Sequence, residues 1–235
     1  MIVSPSRGFV FVHLHKAGGT SMEVALEPHL AWNDLLLGST PFGEAASRHY
    51  GPRFGLHKHS SLAEIEKVCG TASVDELYAF ALVRHPVDRV RSVYNFVAGI
   101  LAAWSRRTGI APDRARAEWE ALAPDHPELR WPASRAYLTT EGFGTFIRSP
   151  HLGRDLAFRT QLSRLTGTDR RAEAFRLEAA SAAVPVLCRR LGVAFDLPHL
   201  NRSRGELVAR DAVPAEDSAW LKERFREDMD AFGYD

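Results

Sequence analysis

Gly8-Phe-Val-Phe-Val-His-Leu14 runs into Lys16-Ala-Gly-Gly-Thr-Ser21, and a helix-forming stretch follows from Met22 to Leu26. The first run is short, β-rich and nearly continuous in apolar character, the pattern of a strand buried on both faces in a parallel sheet. Strand, glycine turn and helix in that order form a cradle for an anion on physical grounds. Glycines let the backbone wrap the ligand, the first helical N–H groups point at it, and the helix dipole favours negative charge. Lys16 adds a compact cation, while Thr20 and Ser21 add hydroxyl donors. The order is not that of the nucleotide-triphosphatase loop G-x-x-x-x-G-K-[ST], because the lysine precedes the glycines. A plain strand-to-helix turn uses glycines too. A lysine just before Gly18-Gly19-Thr20-Ser21 points past that reading to an anion site.

Outward from this join, residues 33–56 are rich in Gly, Pro and Ser and read as a loop. Ser61 to Cys69 reads as a short helix with Leu62, Ile65 and Cys69 on one face, and Glu76 to Val83 as a second buried strand. His85-Pro86 opens a long helix whose apolar face holds Val90, Tyr94, Val97, Leu101 and Trp104. Residues 105–136 are charged and proline-punctuated, an exposed helical excursion, and Thr140 to Leu191 reads as mainly helical. A last helix from Pro214 places Leu221, Phe225, Met229 and Phe232 on one face. No internal repeat, low-complexity tract or linker interrupts the chain. The expected fold class is α/β with a helical C-terminal half, in one domain over residues 1–235.

Composition narrows the function. With 235 residues, 45% of them hydrophobic, the chain can bury a sizeable core without disulfides or metal. Thirty basic and 29 acidic residues leave a net charge of +1, which argues against a bulk electrostatic binder of nucleic acid or anionic membrane. Only Lys16, Lys58, Lys67 and Lys222 are lysines, so a lysine inside a motif stands out against the arginines. Cys69 and Cys188 form no disulfide framework or metal spacing and read as free thiols. The N-terminal residues lack the pattern of a secretion signal, and Phe9 to Leu14 is too short to span a bilayer; the expectation is a soluble, cytoplasmic protein without a membrane anchor.

A second constellation is Val83-Arg84-His85-Pro86-Val87-Asp88-Arg89-Val90-Arg91-Ser92-Val93-Tyr94. Arg84 sits at the carboxyl end of a strand, where ligands of open parallel sheets gather, and its planar fork suits a phosphate. Ser92 lies two turns into the following helix and could serve the same anion. A strand-end arginine paired with a carboxylate such as Asp88 is the rival reading.

Together these stretches resemble the paired cofactor motifs of the sulfotransferases, closest to the carbohydrate branch that includes the heparan sulfate 2-O-sulfotransferases. The resemblance implies a P-loop-like parallel sheet flanked by helices and 3′-phosphoadenosine 5′-phosphosulfate as donor, with adenosine 3′,5′-bisphosphate as product. It implies that Lys16, Ala17, Gly18, Gly19, Thr20 and Ser21 hold the 5′-phosphosulfate and that Arg84 and Ser92 hold the 3′-phosphate. Three further stretches extend the likeness. They are Leu56-His-Lys-His-Ser-Ser-Leu-Ala-Glu-Ile65, Arg159-Thr-Gln-Leu-Ser-Arg-Leu-Thr-Gly167 and Leu197-Pro-His-Leu-Asn-Arg-Ser203, the last adding Asn201 to the cofactor set. Residues 105–155 match nothing in the family and are where acceptor specificity is expected. The chain departs from the pattern at His15, where the family commonly has proline, and at His85, where it commonly has aspartate.

His57 and His59 flank Lys58, and an alternating pair on an extended chain shares a face. One of them suits the general base that takes a hydroxyl proton near neutral pH. His59 is the first choice, by its match to the family's Lys-His segment, and His57 the reserve. His13 and His15 alternate as well, but no carboxylate or cysteine pattern completes either pair, so no metal is expected. Lys16 would neutralise charge on the leaving phosphate oxygen. The acceptor is expected to be a hydroxyl on a glycan or small metabolite. The rival classes are a P-loop kinase, a metal-dependent hydrolase, and a nucleotide-binding protein on the same fold without sulfuryl transfer.

Overall fold

Tyr78–Val83 is the strand that carries the sheet, buried along almost its whole length as a strand flanked on both sides must be. The computed structural model describes residues 1–198, 200 and 206–235. Among the described residues, five strands form one sheet: β1 (Ile2–Ser4), β2 (Phe9–Phe11), β3 (Leu35–Leu36), β4 (Tyr78–Val83) and β5 (Glu173–Arg176), in the order β3-β1-β2-β4-β5. β2, β4 and β5 run parallel, with Phe11 opposite Phe80 and Val83 opposite Arg176. β1 is antiparallel to both β2 and β3. The fold is therefore α/β, but the sheet is mixed where a parallel one was expected. The cause is the short connection between Ser4 and Phe9, closed by the Arg7 N–H donating to Ser4 O at 3.3 Å. So few residues can join only antiparallel neighbours, because a parallel crossover needs a dozen or more.

Thirteen α-helices occur among the described residues. The first four are α1 (Gly19–Leu26), α2 (Pro41–Phe54), α3 (Leu62–Cys69) and α4 (Thr71–Asp75). α5 (Pro86–Thr108), α6 (Pro112–Leu122), α7 (Pro127–Arg130), α8 (Pro132–Leu138) and α9 (Gly142–Ile147) follow. α10 (Gln161–Leu165), α11 (Ala180–Leu191), α12 (Ala215–Arg224) and α13 (Arg226–Phe232) complete the set. α2 replaces an expected loop. Its ends are well specified: the Thr40 hydroxyl accepts from the Gly43 N–H, Pro41 begins the first turn, and Gly55 follows the last. β5 interrupts the mainly helical stretch expected over residues 140–191, because pairing with β4 outweighs local preference in four residues. α3 forms as expected, with Ser61 and Glu64 in a reciprocal capping box.

The chain divides into two units. The first comprises Met1–His85, Thr160–Arg202 and Glu227–Asp235 and contains the sheet. One face of the sheet packs Phe9, Phe11, Phe80 and Leu82 against Met22 and Leu26 of α1 and Leu187 of α11. The other packs Val10, Val12, Ala81 and Val83 against Leu62 and Ile65 of α3. The second unit comprises Pro86–Arg159 and Ser203–Arg226. Its core is the expected face of α5, with Val90, Val97, Leu101 and Trp104 packed among Phe146, Phe158, Leu221 and Phe225. Residues 105–136 are not simply an exposed excursion: Ala115, Leu129, Ala133 and Ala136 lie in that core. The expected terminal helix breaks at Phe225 (φ −113°, ψ 30°), separating α12 from α13. No described helix is long and apolar enough to cross a membrane.

Candidate anion-binding site

The site is built from the join between β2 and α1, in the first unit. After Phe11 the chain leaves the sheet through His13 and turns at Lys16, whose φ of 60° is the one left-handed value at a non-glycine residue among those described. Such a backbone costs roughly 1–2 kcal/mol. Gly18 follows at φ 81° as the N-cap of α1. No side chain caps this helix end and no acidic residue lies in its first turn, so the first N–H groups and their partial positive charge face the turn. Gly19 makes room for His13: a Cβ there would sit 1.9 Å from the His13 ring. The Thr20 hydroxyl donates to Ser39 Oγ at 3.1 Å, and Ala17 and Ser21 are buried.

Cations gather on this turn. Arg84, at the end of β4, donates from Nη1 to the main-chain oxygen of Lys16 at 3.3 Å. Burial, then the charges of Arg84 and Lys58, push the Lys16 amine down to about 8. Burial is the larger cause and the neighbouring cations the smaller, and a bound anion would offset both by favouring the charged amine. Gln161 holds Arg84 in place. Its amide accepts from the Arg84 N–H and donates to the Arg84 carbonyl, both at 2.9 Å. Gln161 is itself fixed by Asp228, which accepts its N–H at 2.8 Å.

No family model, curated protein or solved structure gives a significant match to this chain. The chemistry of the site therefore rests on its own residues.

The histidines form one cluster beside the turn. His59 Nδ1 lies 3.0 Å from the main-chain oxygen of His13, its ring meets the His13 ring edge-on at 4.6 Å, and the His15 ring stacks on it at 3.5 Å. Burial, then His13, His15 and Lys58, hold His59 well below the ordinary imidazole range, so it is neutral at pH 7. A carbonyl oxygen can only accept, so Nδ1 carries the proton and Nε2 the lone pair. His57 has the opposite arrangement: its Nδ1 accepts the His59 N–H at 3.2 Å, which puts the neutral ring's proton on Nε2. The loop carrying both is fixed by Ser60, whose Oγ accepts the His57 N–H at 3.0 Å, and by Arg164, whose Nη2 reaches His59 O at 2.5 Å.

Glu23 and Gln161 were not singled out in the sequence, although both touch candidate residues. Glu23 accepts from His13 Nδ1 at 2.7 Å. Its only sequence signal was a carboxylate on the inward face of α1. Ser92 lies on α5 in the second unit, half-buried, and Asn201 lies outside the described residues. Among the described residues, no three His, Cys, Asp or Glu side chains converge to hold a metal. A separate cavity of about 390 Å³ lies along the edge strand β5, lined by Arg171, Glu173, Arg176 and Phe232, and includes no residue of the turn.

Proposed function

We propose that the first unit is the donor-binding part of a sulfotransferase of P-loop-like kind, using 3′-phosphoadenosine 5′-phosphosulfate and a hydroxyl acceptor. The observation that carries this reading is the Lys16 turn, held by Arg84 and leading into an uncapped helix N-terminus, with a neutral histidine of fixed tautomer alongside. The parallel strands β2, β4 and β5, with the turn leading from β2 into α1, support the fold part of the proposal. The resemblance of five sequence stretches supplies the donor's identity.

The bound donor would supply an electron-poor sulfuryl group, transferred by in-line displacement as in phosphoryl transfer. The N–H groups at the start of α1 hold the 5′ end, joined by the Thr20 hydroxyl once it turns from Ser39 Oγ, and Arg84 takes the second phosphate. His59 Nε2 removes the acceptor's hydroxyl proton as the new O–S bond forms. Lys16 neutralises charge on the phosphate oxygen that departs as the old bond breaks. His57 offers a donor rather than a lone pair, which ranks it below His59 as base.

The test is a screen of glycan and small hydroxyl acceptors with isotopically labelled donor, alongside calorimetry with adenosine 3′,5′-bisphosphate. Transfer that needs Lys16 supports the reading. Bisphosphate binding with no transfer to any acceptor moves the protein to the non-catalytic nucleotide binders. No bisphosphate binding at all overturns the donor.

A further inference from the structure

We propose that Glu23, acting through His13, is the positioning residue of the His59 base and ties that base to the anion cradle. The inference deepens the sulfotransferase reading and rests on it for the role of His59.

Glu23 is wholly buried on α1, and both of its carboxylate oxygens are used. Oε1 accepts from His13 Nδ1 and from the Met1 amino group, each at 2.7 Å, and Oε2 accepts the Ser39 N–H at 2.8 Å. A carboxylate taken out of water costs several kcal/mol unless it is satisfied in this way. The two elements it grips both carry functional atoms. Ser39 receives the Thr20 hydroxyl of the cradle. His13 is clamped between the carboxylate and the Cα of Gly19, and a Cβ at Gly38 would sit 2.4 Å from the carboxyl carbon of Glu23. With its ring unable to swing, His13 presents its main-chain oxygen to His59 Nδ1–H and its ring edge to the His59 ring. The tautomer that leaves a lone pair on Nε2 thus depends on where His13 is held.

The charged and titratable groups around His59 are His13, His15 and Lys58, with His57 on its main-chain N–H, Arg164 on its main-chain oxygen and Glu64 paired to Arg164. Among the described residues no carboxylate touches the His59 ring, so its orientation comes from the His13 carbonyl, one step removed from Glu23. A carboxylate that served only to pair a buried amino group would need one oxygen and no contact with the strand end bearing His13.

Glu23→Gln keeps the shape but leaves one acceptor for the three donors that Glu23 now serves. The experiment reads the ring nitrogens of His59 by 15N NMR at pH 7.5 in wild type and Glu23→Gln, with adenosine 3′,5′-bisphosphate affinity measured on the same samples. Wild type is expected to show proton on Nδ1, and Glu23→Gln a mixture of both tautomers. With a working acceptor, kcat should fall about tenfold to a hundredfold at little changed donor KM, the scale set by small misplacements of a reacting group. His13→Phe keeps the ring packing but removes the Nδ1–H, and it carries the same test if Glu23→Gln does not fold. An unchanged His59 signature in the folded variant overturns the positioning role. Loss of bisphosphate binding in wild type overturns the donor reading alone, because the tautomer measurement needs no donor.

Discussion

His59 Nδ1 sits 3.0 Å from the main-chain oxygen of His13, while His57 Nδ1 sits 3.2 Å from the main-chain nitrogen of His59. Two histidines a residue apart are thus held in opposite tautomers, one with its lone pair on Nε2 and one with its lone pair committed to the loop.

His59→Ala is expected to cost roughly 10²–10⁴-fold in transfer rate, the usual span for one positioned base, with bisphosphate affinity retained. His57→Ala should cost about tenfold at most, through a looser loop. Because His59 is held well below 6.5, wild-type rate should stay level down to that pH and fall only in more acidic buffer. Steady-state rates of both variants across pH 5 to 8 check this. The reverse ranking moves the base to His57.

Lys16 makes a second pH dependence on the other side of neutrality. Its pKa of about 8 in the ligand-free protein means that the amine loses charge as pH rises through that value. A bound anion favours the charged form, so the bisphosphate should bind with proton uptake near and above pH 8, and its affinity should fall as pH rises further. The sign for stability is opposite. A lysine depressed from 10.5 to about 8 weakens the ligand-free fold at neutral pH, and that penalty fades between the two values. Calorimetry in buffers of different ionisation enthalpy reads the uptake directly. Equal uptake in Lys16→Ala assigns the proton to another group.

Arg84→Ala should weaken binding of adenosine 3′,5′-bisphosphate while leaving adenosine 5′-phosphate nearly unaffected. Gln161→Leu is expected to copy part of that effect, because it removes the Gln161 amide from both main-chain groups of Arg84 and leaves Asp228 a donor short. Unpairing buried polar groups costs about 1–3 kcal/mol each, so a lowered unfolding midpoint should accompany the loss. Similar losses for both nucleotides would show that Arg84 has no preference for the second phosphate.

The turn, β4 and α5 were legible because each is marked by local chemistry: a buried apolar run, a lysine beside paired glycines, or a proline opening an amphipathic helix. α2 was hidden by composition, since Gly43, Gly51 and Pro52 suggest a loop, although Thr40-Pro41 and Gly55 mark its ends. β1 and β5 span only three and four residues and owe their form to partners distant in sequence. The break at Phe225 was equally invisible, because Leu221, Phe225, Met229 and Phe232 keep a helical spacing across it. At the site, spacing nominated His57 and His59 together. Only three-dimensional hydrogen-bond partners distinguish their tautomers, and only burial shows that Glu23 is held against His13.

Glu23 gives a final prediction that needs no substrate. Burial alone would raise its carboxyl, but the His13 hydrogen bond and the nearby positive charges prevail and hold it at about 2, against an ordinary 4.5. A carboxylate depressed in the folded state contributes stability that is present above 4.5 and lost as pH falls through about 2. His13 acts in a higher window. Burial keeps it below its ordinary 6.5, so the unfolded chain binds that proton more readily and stability declines as pH drops below 6.5. Urea midpoints of wild type should therefore fall in two stages, one beginning near 6.5 and one between 4.5 and 2. Glu23→Gln has no carboxyl to titrate. It should start from a lower midpoint at pH 7, keep the upper stage and flatten the lower. An unaltered lower stage in that variant would mean that other carboxylates govern acid unfolding and that the carboxylate beneath His13 is held less firmly than its three hydrogen bonds imply.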